Sequence, residues 1–305
     1  MAGEYLATKK ILVAGSSGLI GTALVASLQG DGHEVCRLVR RPIKEANEVR
    51  WDPSSKLLDG SVLEGFDAII HLGGEGIGDK RWSKSRKEKI RLSRVISSTL
   101  LSEQIARLES KPEVFVLANA IGWYGSRGGE ELTEGSKIGA GFLSEVCSEW
   151  ENSAKAVEDS GVRTIYLRSG IVLSSSGGVL AKMLLPFKLG IGGKMGSGKQ
   201  WMSWISLDDE VGAITHLMDT KSCNGAFNLT APEPVTNREF AKTLGRTLKR
   251  PTILPLPGFI LRILFGSRAI SLMIEGQKVL PDRLQESGYI FNHSTLAEAL
   301  KDLLG

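Results

Sequence analysis

Three glycines at three-residue spacing, Gly15-Ser16-Ser17-Gly18-Leu19-Ile20-Gly21, follow a short apolar run and precede a helical one. A first glycine permits a tight turn. A bare second position lets backbone N–H groups approach a pyrophosphate, and a bare third lets the helix pack closely on a sheet. The start of a helix adds free N–H groups and a dipole that favours an anion. At a strand-to-helix junction, Gly15, Ser16, Ser17, Gly18, Leu19, Ile20 and Gly21 therefore read as a dinucleotide phosphate loop rather than a bare turn. The end of the second strand decides which dinucleotide. An acid about 20 residues beyond the glycines would hold a ribose 2′-OH, but here stand Val39-Arg40-Arg41, and Glu34 falls at the strand's start. Two guanidiniums suit a 2′-phosphate. The expected cofactor is thus NADP, held in part by Arg40 and Arg41; a solvated surface pair is the competing account.

A frame of alternating strands and helices must position these residues. Lys10–Ala14, Glu34–Val39, Asn47–Trp51, Ala68–Leu72, Val114–Leu117 and Thr164–Leu167 read as strands. Leu19–Gln29, Ser83–Leu108 and Phe142–Asp159 read as helices between them. Short apolar runs alternating with helical patterns imply an α/β fold, a Rossmann-type doubly wound parallel sheet covered on both faces. Beyond about Ser174 glycines and prolines cluster. Strands at Trp201–Ile205 and Ala226–Leu229 mix with helices, one capped by Thr236 with Glu239 three residues on and one at Ser294–Leu304. The expected division is an NADP-binding domain over residues 8–173 and a smaller C-terminal α/β lobe over 174–305, not cleanly separated.

The composition narrows the class. With 305 residues, 42% hydrophobic and 24% charged, the chain suits a globular protein. A net charge of +4, from 38 basic and 34 acidic residues, is too small to indicate nucleic acid. Cys36, Cys147 and Cys223 lie far apart without metal-ligand spacing, which suggests a reducing, cytoplasmic setting and no metal. The most apolar later stretch, Thr252–Ile274, contains Pro255, Pro257, Arg262 and Arg268. A membrane span wants about 20 apolar residues with few charges, so this stretch reads as a buried amphipathic helix, with a membrane-surface helix as the alternative.

Further marks give a resemblance. The glycine loop with Asp67-Ala68-Ile69-Ile70-His71-Leu72-Gly73-Gly74 resembles extended short-chain dehydrogenases/reductases, a group that includes nucleotide-sugar epimerases. Gly122-Trp123-Tyr124-Gly125, Trp150-Glu151, Arg168-Ser169-Gly170-Ile171-Val172-Leu173, Leu184-Leu185-Pro186-Phe187 and Asn228-Leu229-Thr230-Ala231-Pro232 resemble its "epimerase family protein" branch, which carries a C-terminal domain of unknown function. The resemblance covers nearly the whole chain. It implies that Leu72, Gly73 and Gly74 pass the adenosine ribose and pyrophosphate, and that Lys89 and Arg94 contact the cofactor. Lys80–Arg94 holds eight basic residues, most of which a solvated helix face would explain; a nucleic-acid patch would want more aromatic residues than Trp82. Arg168 and Ser169 end the sixth strand, where ligands of open α/β sheets gather.

The superfamily's chemistry uses a Tyr and a Lys four residues later on one helix face, the ammonium lowering the phenol's pKa. Counted from Trp150-Glu151, those positions fall on Leu143 and Cys147; the accompanying Ser position falls on Asn119. The motif is therefore absent. Tyr124, Asn119 and Glu75 are the candidate catalytic residues, against packing or loop roles for each. Trp201, Trp204 and Asp208 could line a pocket, and His71 reads as a satisfied strand histidine. The expected function is an NADP-binding epimerase-like reductase, acting as an oxidoreductase on a small carbonyl or sugar-like substrate if it is catalytic. The alternative is a non-catalytic NADPH-binding redox sensor or partner-binding protein; some members of the branch carry a cell-division label. The sequence leaves room for a homodimer and suggests no nucleic-acid or membrane partner.

Overall fold

The computed structural model describes residues 7–78, 82–252, 255 and 276–305. The stretch 252–274 lies almost wholly outside them, as do Lys80 and Arg81 of the basic segment. The strands are β1 (Lys10–Ala14), β2 (Glu34–Val39), β3 (Glu48–Arg50), β4 (Ala68–His71), β5 (Val114–Ala120), β6 (Glu131–Leu132), β7 (Arg163–Ser169), β8 (Ile171–Leu173), β9 (Trp201–Met202), β10 (Trp204–Ser206), β11 (Gly225–Leu229), β12 (Val235–Thr236) and β13 (Lys278–Val279). The helices are α1 (Leu19–Gly30), α2 (Lys84–Ala106), α3 (Phe142–Asn152), α4 (Lys155–Asp159), α5 (Gly178–Lys188), α6 (Leu207–Asp219), α7 (Asn237–Thr247), α8 (Asp282–Glu286) and α9 (Leu296–Leu304).

Seven strands form one parallel sheet in the order β11-β7-β5-β4-β1-β2-β3. The strand order reverses between β1 and β4, the switch point where doubly wound sheets open a crevice at their carboxyl ends. Alternate residues of each strand feed opposite cores. Ile11 and Val13 of β1 join Leu24 and Leu28 of α1 and Ile214 and Leu217 of α6. Leu12 and Ala14 face Leu101 and Ile105 of α2 and Val157 of α4 on the other side. The fold is the Rossmann-type α/β sandwich expected, with a smaller lobe at its C-terminal side.

That lobe has its own core, in which Met183 and Phe187 of α5, Trp204, Phe240 and Leu244 of α7 and Leu296 and Leu300 of α9 are buried together. It also returns to the first body: β11 is the seventh strand of the central sheet, and α6 packs against α1. Two sequence expectations divide. Phe142–Asp159 breaks at Ser153, whose Oγ donates to the Trp150 carbonyl at 2.6 Å and so competes with the helical ladder. Trp201–Ile205 splits at Ser203, because β9 pairs antiparallel with β12 while β10 pairs parallel with β8. The Thr236 capping box forms as its spacing requires.

Candidate functional site

The chain leaves β1 at Ala14 and turns at Gly15, where φ is +84° and a Cβ would lie 2.7 Å from the Gly73 nitrogen. A Cβ at Gly21 would collide with the Gly15 carbonyl. Both glycines are demanded by the loop's own packing. Gly18 is different. Its φ is −78°, an ordinary value, and a Cβ would meet only the Gly15 oxygen at 3.4 Å. It is the exposed N-cap of α1 and supplies no side-chain acceptor to the first-turn N–H groups. A bare N-cap with unmet N–H groups is a seat for an anion. Leu72, Gly73 and Gly74 run alongside, where Gly73 donates its N–H to His71 Nδ1 at 3.2 Å. That bond leaves Nε2 to donate to Ser97 Oγ at 2.8 Å. Burial pushes the His71 pKa down to about 3, so the ring is a neutral strut between strand and helix.

At the end of β2 the two arginines part. Arg41 is held bidentate by the buried Glu48, at 2.9 and 2.5 Å, which keeps that carboxyl near pH 2. Arg40 is exposed and makes no hydrogen bond or ion pair with the described residues, although its charge reaches Glu75. Lys89 Nζ stands 3.8 Å from the same Glu75 carboxylate. Arg40 and Lys89 thus both bring positive charge to Glu75, while Arg41 is engaged by Glu48.

Deeper in, a cavity of about 420 Å³ opens between the sheet's carboxyl edge and the lobe. Its walls are chiefly apolar, from Ile77, Ile90, Ile121, Val146, Met195 and Met202, with Arg94, Lys182, Ser169 and Ser203 as polar points. Arg94 is pinned by the Glu75 and Ile90 carbonyls, both at 3.0 Å, and stacks over Trp150. Leu143 and Cys147 both line this cavity, one turn apart, facing Gly122. The Cys147 thiol is pushed up to about 12 by burial, so it stays protonated.

Several residues chosen from sequence sit elsewhere. The Tyr124 hydroxyl is not at the cavity wall: it is sealed, donating to Asn228 Oδ1 at 2.7 Å and accepting from Arg168 at 3.0 Å. Asn119 is also buried, its amide donating to the Cys147 carbonyl at 3.1 Å and to Glu151 at 2.7 Å. Glu75 is committed to an ion pair with Arg86, which lowers its pKa and keeps it a carboxylate. Arg168 points away from the crevice, bidentate to Glu151 at 2.9 and 3.0 Å and stacked on Trp123 at 3.9 Å. Tyr124, Asn119 and Arg168 are drawn inward by partners that the linear sequence does not place beside them, while Glu75 stays partly exposed. Of the tryptophans, Trp201 lines the cavity and Trp204 is core, its indole N–H on the Glu233 carbonyl. Asp208 is absent from the wall.

Sequence reading missed Glu210 behind Ser169. Its signal was available: Glu210 shares the spacing of Ala213, Ile214 and Leu217, the buried stripe of α6.

Residues 11–230 match the NAD dependent epimerase/dehydratase family, and residues 256–303 match a domain of unknown function. The chain belongs to the NAD dependent epimerase/dehydratase family. An epimerase family protein of Mycobacterium leprae is 40% identical to this family member over 290 residues, 95% of this chain and 94% of that one. The crystal structure of a human epimerase family protein with NADPH superposes with a TM-score of 0.87 at 35% identity, covering 96% of this chain and 98% of the human one. A nucleoside-diphosphate sugar epimerase from Corynebacterium glutamicum gives a TM-score of 0.82 at 33% identity, over 98% of this chain and 58% of its own. Among the described residues of this epimerase-family chain, no helix is long and apolar enough to cross a membrane, and no group of His, Cys, Asp and Glu could hold a metal ion.

Proposed function

We propose that this chain is an NADP-binding, epimerase-like short-chain dehydrogenase/reductase whose cavity takes a small carbonyl or sugar-like substrate. The observation that carries the reading is the bare Gly18 N-cap with the uncommitted Arg40 at the end of β2. The first-turn N–H groups would hold the pyrophosphate, and Arg40 with Lys89 would hold the 2′-phosphate, assisted by the exposed edge of Arg41. The NADPH seen in the human relative supports this choice. When bound, NADPH supplies a hydride for the carbon of a carbonyl. The chain's own part is to exclude water with the apolar wall and to orient the substrate between Leu143, Ile121 and Trp201.

The position of Leu143 and Cys147 on the cavity wall favours a second reading. Among the described residues no phenol with a lowered pKa faces the chamber there, and general acid–base catalysis is typically worth ~10²–10⁴-fold. A protein so equipped would hold NADPH with little ordinary dehydrogenase turnover, as a redox sensor or a partner-binding protein would. Calorimetry tests the cofactor assignment. Wild type should bind NADPH more tightly than NADH, and Arg40→Ala should remove most of the difference; equal wild-type affinities would end the reading. NADPH consumption across a carbonyl panel separates enzyme from sensor.

A further inference from the structure

Behind the cavity wall sits a carboxyl group with no part in the reading above. Glu210 lies in the first turn of α6 and is 1% exposed. Its Oε1 accepts from Ser169 Oγ at 2.6 Å, and its Oε2 has no partner among the described residues. Ser169 itself lines the cavity. One serine of the chamber wall therefore bonds a carboxyl shut away from water.

A buried carboxylate needs a cation or several donors, and Glu210 is offered one hydroxyl. Its own helix contributes Asp208 and Asp209; Asp209 is occupied by Ser206, by the Asn292 and His293 N–H groups and by the Tyr289 hydroxyl. The His293 ring stands beside Asp209 at 3.5 Å. From β7, Arg168 points to the opposite face and to Glu151. β8, β10 and α1 carry no charged side chain. Burial pushes Glu210 up to about 8, so the group holds its proton at neutral pH. The serine donates to the ionised carboxylate; with the proton on Oε1 the bond reverses, because among the described residues the acceptor within reach of that proton is Ser169 Oγ. When Glu210 donates, the serine's own hydrogen must turn away from it, and the cavity lies beside it.

We propose that Ser169, backed by Glu210, is the hydrogen-bond donor that receives a carbonyl oxygen in the cavity, filling the place of the missing phenol. Ser169 is then a catalytic residue and Glu210 a positioning residue. This rests on the cavity being the chamber for nicotinamide and substrate. Reduction of a carbonyl adds a hydride to carbon, from the reduced dinucleotide, and a proton to oxygen. That proton leaves Ser169 Oγ as Ser169 takes the Glu210 proton, and the carboxylate left behind is reprotonated through Ser169 by water that enters the chamber once the product leaves. Once Glu210 ionises, it draws the serine hydrogen to itself. The cavity then meets a lone pair, and a carbonyl oxygen is no longer welcome.

Two measurements on the full chain test this. Binding of acetophenone and of α-methylstyrene, which replaces the carbonyl oxygen by a methylene, gives a ketone-to-alkene affinity ratio at pH 6.5 and 9.5. One neutral hydrogen bond corresponds to a change of roughly threefold to tenfold in that ratio. The wild-type ratio should fall by that factor at pH 9.5, Ser169→Ala should show the lower ratio at both pH values, and Glu210→Gln should keep the higher ratio at both. A wild-type ratio that ignores pH, or one that survives Ser169→Ala, overturns the proposal. The second measurement needs neither cofactor nor ligand. The infrared pH-difference spectrum of wild type should show a protonated-carboxyl band that titrates near pH 8, disappears in Glu210→Gln and shifts in Ser169→Ala. A Glu210 already ionised at pH 6 overturns the proposal, whereas failure to bind NADPH overturns only the cofactor reading.

Discussion

Replacing Glu210 by Gln keeps the shape of the side chain and removes one proton equilibrium from the folded protein. The folded group titrates at about 8 against an ordinary value of 4.5. Below pH 4.5 both states hold the proton, and the group costs nothing. As pH rises, the unfolded chain releases its proton while the native one keeps it, so stability falls with pH throughout this window. The cost levels off above pH 8. At about 1.4 kcal/mol per pH step, it reaches about 5 kcal/mol at pH 9 and roughly 3 kcal/mol at pH 7. The glutamine escapes it. The amide can donate to Ser169 Oγ as the acid does, but it leaves one further buried N–H unmet, a pH-independent cost of about 1–3 kcal/mol. The informative quantity is therefore the change in the difference between variant and wild type. Urea unfolding at pH 4.5, 6, 7.5 and 9 should show the variant gaining about 5 kcal/mol relative to wild type across the series. A difference that stays constant would mean that Glu210 is ionised in the native state, and the account of its burial would be wrong.

Other substitutions separate parts of the site. Gly18→Val should abolish NADPH binding and leave thermal unfolding unchanged, whereas Gly21→Val should lose the fold because its side chain would enter the Gly15 carbonyl; normal calorimetric binding by the first would refute the loop assignment. Leu143→Tyr with Cys147→Lys should leave NADPH affinity within about tenfold, a difference of ~1.4 kcal/mol, and bring a trace of carbonyl reduction. A loss of cofactor affinity greater than that would argue against the placement of this face. Cys147 should resist alkylation at pH 8 in the native state, since its thiol is held near 12, and mass spectrometry of iodoacetamide-treated protein reads this directly. Tyr124→Phe should cost about 1–3 kcal/mol of stability through the unpaired Asn228 and Arg168 groups without changing NADPH affinity.

Much of the frame was legible because local rules decide it. Glycine spacing fixed the loop, apolar runs of four to seven residues marked the sheet strands, and Thr236 with Glu239 announced a helix start. The pair Arg40-Arg41 was legible at the end of β2, but not that Glu48, arriving from β3, engages Arg41 and leaves Arg40 exposed. The partners of three site candidates were not legible, for a shared reason. Tyr124, Asn119 and Arg168 look available in sequence, yet Asn228, Glu151 and Cys147 close around them, and these partners lie 17 to 104 residues away. Glu210 is hidden in sequence because Asp208-Asp209-Glu210 reads as acids favouring a helix start, although its spacing also sets it on the apolar stripe of α6.

The return of β11 to the central sheet bears on how the molecule can move and be divided. A chain that crossed once from one body to the other could swing on that crossing. This one crosses back: α6 seals the surface of α1, and β11 closes the edge of β7. A fragment ending at residue 173 would bare that edge and the apolar face of α1, and would be prone to self-association. For the same reason, a hinge between the two bodies would have to break both the β7–β11 pairing and the α1–α6 contact.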